Sequence, residues 1–294
     1  MVAFGMIAAS CSNESVNGVE NAVENVQVPV QVHVSDFSVS VENISGGTTR
    51  AAADPATYDG VKALTLAFYA GDGTEAFKTT QMKGALEEGE TFGEFTLSLP
   101  MGNYTMVVIG HGLNDGEPAV TLTSPTEATF GEYPARETFA TTQTVNITNA
   151  SAVDISATLC RIIAKLKVVS TDGRVANATN VRMTFAAGGR AFNPTTGLAI
   201  TNGGFSNAVN ISAAAGSTSS SISYLFLTTD EQTMDVTIET LDEDGAVLFS
   251  KTVENVPFKR NRVTQLTGAM YTNSSVGGGF QIETAWEEQY DGTF

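Results

Sequence analysis

Two histidines, His33 and His111, and two cysteines, Cys11 and Cys160, are all the imidazoles and thiols that the chain offers for metal ligation and nucleophilic chemistry. They are scattered. No HxH, HExxH or paired-cysteine spacing joins them, and a zinc site needs several such ligands converging, so no metal is expected. His111 follows Gly110 at the end of an apolar run and reads as an exposed turn residue, and Cys160, in LCRIIAKL, reads as a buried small hydrophobe. No GxSxG elbow marks a serine nucleophile, although triads assemble across a fold and leave no fixed spacing. LDEDG at 241–245 has acidic spacing but lacks the bidentate glutamate that closes a calcium loop; a hairpin turn accounts for it. Glu87/Glu88 and Glu287/Glu288 are sequence neighbours, and on a strand neighbours face opposite ways. No catalytic set and no cofactor is therefore expected.

What remains is chemistry done by backbone and apolar faces. Residues 26–41 read VQVPVQVHVSDFSVSV, with Val26, Val28, Val30, Val32 and Val34 on one parity and Gln27, Pro29, Gln31, His33 and Ser35 on the other. That period of two is a half-buried strand. The phase slips at Asp36, after which Phe37, Val39 and Val41 are the apolar set, so a bulge or break is expected there. Pro29 has no N–H and suits a sheet edge. The following stretch, ISGGTTRAAADP, reads as a loop with one arginine, Arg50. An ordinary edge strand explains the pattern; so does a strand that proteolysis can remove.

At the other end, SSVGGG at 274–279 is a glycine hinge, which holds no fixed path. Beyond it Phe280, Ile282, Thr284 and Trp286 share one face, while Gln281, Glu283 and Ala285 share the other. A hinged amphipathic strand of this kind either completes a neighbour's sheet or lies on its own domain.

The elements that must carry these strands follow from composition. The chain has 294 residues, 42% of them hydrophobic, enough for two cores. Its net charge is −17, with −13 in residues 1–150 and −4 in 151–294. Such a surface repels nucleic acid, and no basic run offsets it. Short alternating runs separated by Gly, Asn and Asp turns recur throughout, and no segment has a convincing helical period; residues 81–90 come nearest. The expected fold is all-β, a pair of sandwiches. Residues 153–169 would span about 56 Å as one strand, too long for the usual size. Their parity changes at Leu159–Cys160, taken as the boundary between an N-terminal domain, 26–159, and a C-terminal domain, 160–294. Residues 12–25 are polar and acidic, a flexible tether. Before them, a short apolar run ends in Ala8, Ala9, Ser10 and Cys11, which resembles a truncated lipoprotein signal segment (1–11) with Cys11 as the lipidated residue.

Several stretches together resemble one family. They are the apolar start ending in Cys11, the early strand with its TTRAAAD loop, LSLPMGNYTMVVIGHG at 97–112, LCRIIAKLKVVSTDG at 159–173, GRAFNPTTGLAI at 189–200 and VPFKRNRVTQLTGAMY at 256–271. The chain resembles the fimbrillin-like proteins of Bacteroidales, which are type V pilus subunits with related anchor and tip lipoproteins. The resemblance implies two tandem transthyretin-like, Greek-key β-sandwich domains and export as a lipoprotein to the outer membrane and cell surface. It implies arginine-directed cleavage, here at Arg50, displacement of the strand bearing Val28, Val30, Val32 and Val34, and polymerisation through a donor strand bearing Phe280, Ile282, Thr284 and Trp286. The partners implied are other fimbrial subunits, the outer membrane through a lipid, and a host or bacterial surface ligand. Anchor proteins of the family keep their first strand. The alternative is a surface lipoprotein that binds glycan or protein without polymerising.

Overall fold

The computed structural model describes residues 26–42, 48–272 and 280–283, and among these it contains strands, turns and loops but no helix. In chain order the first half holds β1 (Gln27–Glu42), β2 (Thr48–Ala53), β3 (Ala63–Ala70), β4 (Glu75–Met82), β5 (Glu94–Pro100), β6 (Gly102–His111), β7 (Thr121–Ser124), β8 (Glu127–Thr129), β9 (Thr138–Ile147) and β10 (Val153–Arg161). The second holds β11 (Ala164–Ser170), β12 (Asn180–Phe185), β13 (Ala191–Asn193), β14 (Leu198–Ala199), β15 (Phe205–Asn210), β16 (Ser220–Leu225), β17 (Glu231–Leu241), β18 (Val247–Lys259), β19 (Val263–Gly268) and β20 (Gln281–Glu283).

The first half is two layers. One contains β5, β1 and β10, with β2 continuing along β1 where β5 stops; the other runs β9-β6-β3-β4. Among the described residues the layers join edge to edge only through Cys160↔Ala140 and Arg161↔Phe139. Alternation fills the space between them: Val28, Val30 and Val32 of β1, Leu97 and Leu99 of β5 and Leu159 of β10 face Leu64, Leu66, Phe68, Met106 and Val108. The second half stacks β16-β11-β19-β20 on β15-β12-β17-β18. Leu166, Val168 and Leu266 meet Met183, Phe185, Val236 and Ile238 there.

A third core joins the halves. β3 and β6 are buried on both faces, because Ala67, Tyr69, Val107 and Ile109 point away from the first core into a cluster with Ile162, Ile163, Phe192 and Phe226. Phe192 and Phe226 stack at 4.1 Å between centroids. A small sheet, β14-β13-β8-β7, covers this cluster and draws strands from both halves.

Several expectations change. The alternation of β10 does not slip at Leu159–Cys160: Cys160 keeps the outward phase and is exposed, where a buried position was expected. The break falls at Ile162 and Ile163, consecutive and both buried, since each drops into the third core. Thr138–Ile147 forms one strand, β9, and β4 ends at Met82 in turns rather than a helix. The hairpins at 71–74 and 242–245 form as their residues dictate. Gly73 and Gly245 take positive φ, and the Asp72 and Asp242 carboxylates accept backbone N–H groups across each turn.

Candidate functional site

β1 is the centre of its layer, not an edge. It runs parallel to β10 from Val30↔Val153 to Ser38↔Cys160. On its other side it runs antiparallel to β5 from Gln27↔Pro100 to His33↔Glu94, then to β2 from Phe37↔Ala53. Pro29 fits this interior place for a local reason. The Val34 N–H donates to Gly93 O at 2.8 Å on the β5 side, so by alternation residue 29 turns its nitrogen toward β10. The β10 ladder starts one residue later, at Val153, so no bond is lost.

Val28, Val30, Val32, Val34 and Phe37 are all buried in the first core. The phase change read at Asp36 is a bulge: Val34 pairs with Ala157 and Asp36 with Thr158, leaving Ser35 unpaired. Ser35 Oγ donates instead to Ala157 O at 3.4 Å. The extra residue is what returns Phe37 to the inner face, where its ring lies 5.0 Å from Phe139 and 5.7 Å from Tyr58. On the outer face His33, half-buried, sits between carboxylates of both neighbouring strands. Its Nδ1 meets Glu94 Oε2, and its Nε2 is 3.9 Å from Asp154 Oδ1.

Arg50, expected in an open loop, lies in β2, opposite Ser40. β2 pairs antiparallel with the last part of β1, from Phe37 opposite Ala53 to Glu42 opposite Thr48. β2 is the last strand on that side of the sheet. Cys11, Thr284 and Trp286 lie outside the described residues.

The C-terminal strand is seated on its own half. β20 pairs antiparallel with β19, Leu266 opposite Ile282 and Thr267 opposite Gln281, at the end of the sheet. Opposed residues share a face, so Ile282 follows Leu266 toward the core side, as its parity requires, yet it stays 41% exposed at the edge. Phe280 is half-buried against the second core. The chain leading there is fixed at its base. Asp172 Oδ1 accepts from Met270 N at 2.8 Å, and its Oδ2 accepts from Tyr271 N at 2.9 Å and Thr272 Oγ1 at 3.0 Å. Burial works to raise the Asp172 pKa, and these bonds outweigh it, holding the carboxyl below its usual range.

The polar groups that sequence reading missed lie at the junction of the halves. Arg161 Nη2 is 2.6 Å from Glu137 Oε1, both nearly buried, and Arg161 Nη1 donates to Asn261 Oδ1 at 3.2 Å. Tyr58 donates to the same Glu137 oxygen at 2.8 Å; burial first, then the Glu137 carboxylate, raises the Tyr58 pKa. No spacing of these residues signals their convergence. His111, expected exposed, is fully buried at the end of β6. Its Nδ1–H donates to Gly112 O at 2.7 Å and its Nε2 accepts from Val120 N at 3.0 Å, which fixes a neutral ring; burial lowers its pKa to about 4. It ties a strand end to a loop. Among the described residues no cluster of His, Cys, Asp and Glu could hold a metal ion. An open groove of about 900 Å³, lined among others by Lys62, Lys83, Leu113, Asn114 and Tyr133, lies at the loop end of the first half.

Comparison with known proteins gives a family and a set of distant likenesses. No curated protein matches the chain. Among solved structures it is similar to the fimbrial anchor protein Mfa2 from Porphyromonas gingivalis. The identity is 12%, with 88% of this chain and 98% of that one covered, and the TM-score is 0.47. It is also similar to a fimbrial assembly protein from Parabacteroides distasonis, at 11% identity, 88% and 95% coverage and a TM-score of 0.41. A family model described as a family of unknown function, DUF6562, matches residues 24–293, and the chain belongs to that family.

Proposed function

We propose that the chain is a subunit of a cell-surface fimbrium, built from two transthyretin-like domains, lipidated at Cys11 for export to the outer membrane, and serving adhesion. Its first strand holds a place that a neighbouring subunit's strand later fills. The observation that carries this reading is the position of β1, an interior strand between β5 and β10 that leads into the rest of the described fold through β2. Cutting after Arg50 would leave residues 26–50 held by ladder bonds and apolar packing alone.

Their departure would open a slot flanked by a strand on each side, about 10 Å wide at the usual interstrand spacing. Five fully or nearly buried apolar side chains leave with β1. At about 1.5–3 kcal/mol each, their burial is worth on the order of 10 kcal/mol, so a cut β1 does not simply drift out. A competing strand that pairs progressively replaces it. The C-terminal segment with Phe280, Ile282, Thr284 and Trp286 has the alternation such a slot requires. Donation from each copy to the next is heterologous and builds an open filament.

The test is arginine-specific cleavage of the folded protein, followed by electron microscopy and sizing. Arg50, on an edge strand, should be cut before Arg161 and Arg182, which lie within ladders and carry the ion pairs to Glu137 and Glu239. Because Arg50 is itself paired, cutting should be slower than at an open loop. Cut protein should form chains. Arg50→Ala, and deletion of residues 280–294, should each prevent them. Cut protein that stays monomeric at high concentration rejects polymerisation. The groove beside Tyr133 then favours a surface protein that binds a ligand without assembling.

A further inference from the structure

Gly268 closes β19, and Phe280 arrives directly beside it. A Cβ at Gly268 would stand 2.8 Å from Phe280 Cδ1 and 2.9 Å from its Cγ. Cγ is the inner end of the ring, so turning the ring about its own axis does not relieve the clash. The backbone at Gly268 is not in the positive-φ region. Glycine is therefore required there by the ring and not by a turn, the close approach that a glycine inside a strand often marks. Among the described residues little else holds the strand: β20 pairs over three residues, and Ile282 remains 41% exposed. The base of the segment is rigid by contrast, through the Asp172 bonds and through Tyr271 Oη, 2.5 Å from Ser219 Oγ.

We infer that the β19 edge, with Gly268 as its socket, is a latch for the chain's own C-terminal strand, selective for an aromatic residue opposite Gly268 and an aliphatic one two residues on. Phe280 and Ile282 meet that pattern. While latched, the strand is unavailable to a second copy, so opening of the latch precedes any donation. That last step rests on the function proposed above; the latch does not.

The experiment uses the full chain with Gly268→Ala, Phe280→Ala and the two combined. Hydrogen exchange at residues 281–283 reads the latch, as does the fluorescence anisotropy of Trp286, the only tryptophan, three residues past β20. Gly268→Ala should speed exchange at 281–283 by about tenfold and lower the anisotropy, with the main melting transition kept. Phe280→Ala should do the same. The double variant should be no looser than either single one, because both remove one contact. Unchanged exchange in Gly268→Ala, or additive effects, would overturn the latch. After arginine cleavage, Gly268→Ala should form chains faster than the parent. If neither forms chains, polymerisation fails as a function while the exchange data still decide the latch.

Discussion

Three residues carry predictions out of proportion to their sequence signal. Arg161 and Glu137 are each about nine-tenths buried, and a buried carboxylate left without its cation is costly. Arg161→Ala should therefore lower stability by about 3–5 kcal/mol in urea denaturation. Replacing the pair together with Met and Leu should recover most of that loss, because no unpaired charge remains. His111 sets a pH dependence. Its pKa is about 4 in the fold, against 6.5 for the free side chain, so the unfolded chain binds the proton more readily. Stability then falls as pH drops from about 6.5 toward 4, by up to about 3 kcal/mol, and levels off below. Denaturation at pH 7 and pH 4.5 should show a steeper loss in the parent than in His111→Gln. Equal slopes would mean that the ring titrates normally.

At the scale of the element, β1 is integral to the first core. Val30→Ala and Val32→Ala each remove two buried methyls and leave a cavity between the two layers beneath β1, and each should cost about 2 kcal/mol in thermal or urea unfolding. Gln31→Ala, on the outward exposed parity, should stay within about 0.5 kcal/mol of the parent. If the valine changes were equally silent, β1 would be a loosely laid cover, and the slot beneath it would need no competing strand to open. The bulge at Ser35 belongs to the same account. It divides β1 into a part paired with β5 and a part paired with β2 while keeping Phe37 inside.

At the scale of the molecule, the third core governs how independent the halves are. A fragment of residues 160–294 keeps the two sheets around Leu166 and Phe185 but uncovers Ile162, Ile163, Phe192 and Phe226. It also loses the β8 partner of β13. The fragment should melt cooperatively at a lower temperature than the whole chain and bind a hydrophobic dye. Adding residues 26–159 should suppress the dye signal. A fragment that binds no dye and melts with the intact chain would show that the shared core contributes nothing to the stability of the second half.

Sequence alone determined what depends on local geometry. The valine parity of β1, the extra residue before Phe37, the aspartate–glycine hairpins and the inward turn of Phe280 and Ile282 follow from a two-residue period and turn chemistry. The isolated glycine in VTQLTGAMY is likewise a local sign of close approach. The tertiary structure alone decided who stands beside whom. Periodicity reports which face a side chain takes, not which strand lies alongside, so β1 looked like an edge until β10, more than a hundred residues later, closed its far side. The same limit hid the second buried face of β3 and β6, the burial of His111 and the meeting of Tyr58, Glu137, Arg161 and Asn261. Each depends on segments distant in the chain, and their pairing energy is realised only after the intervening loops have closed.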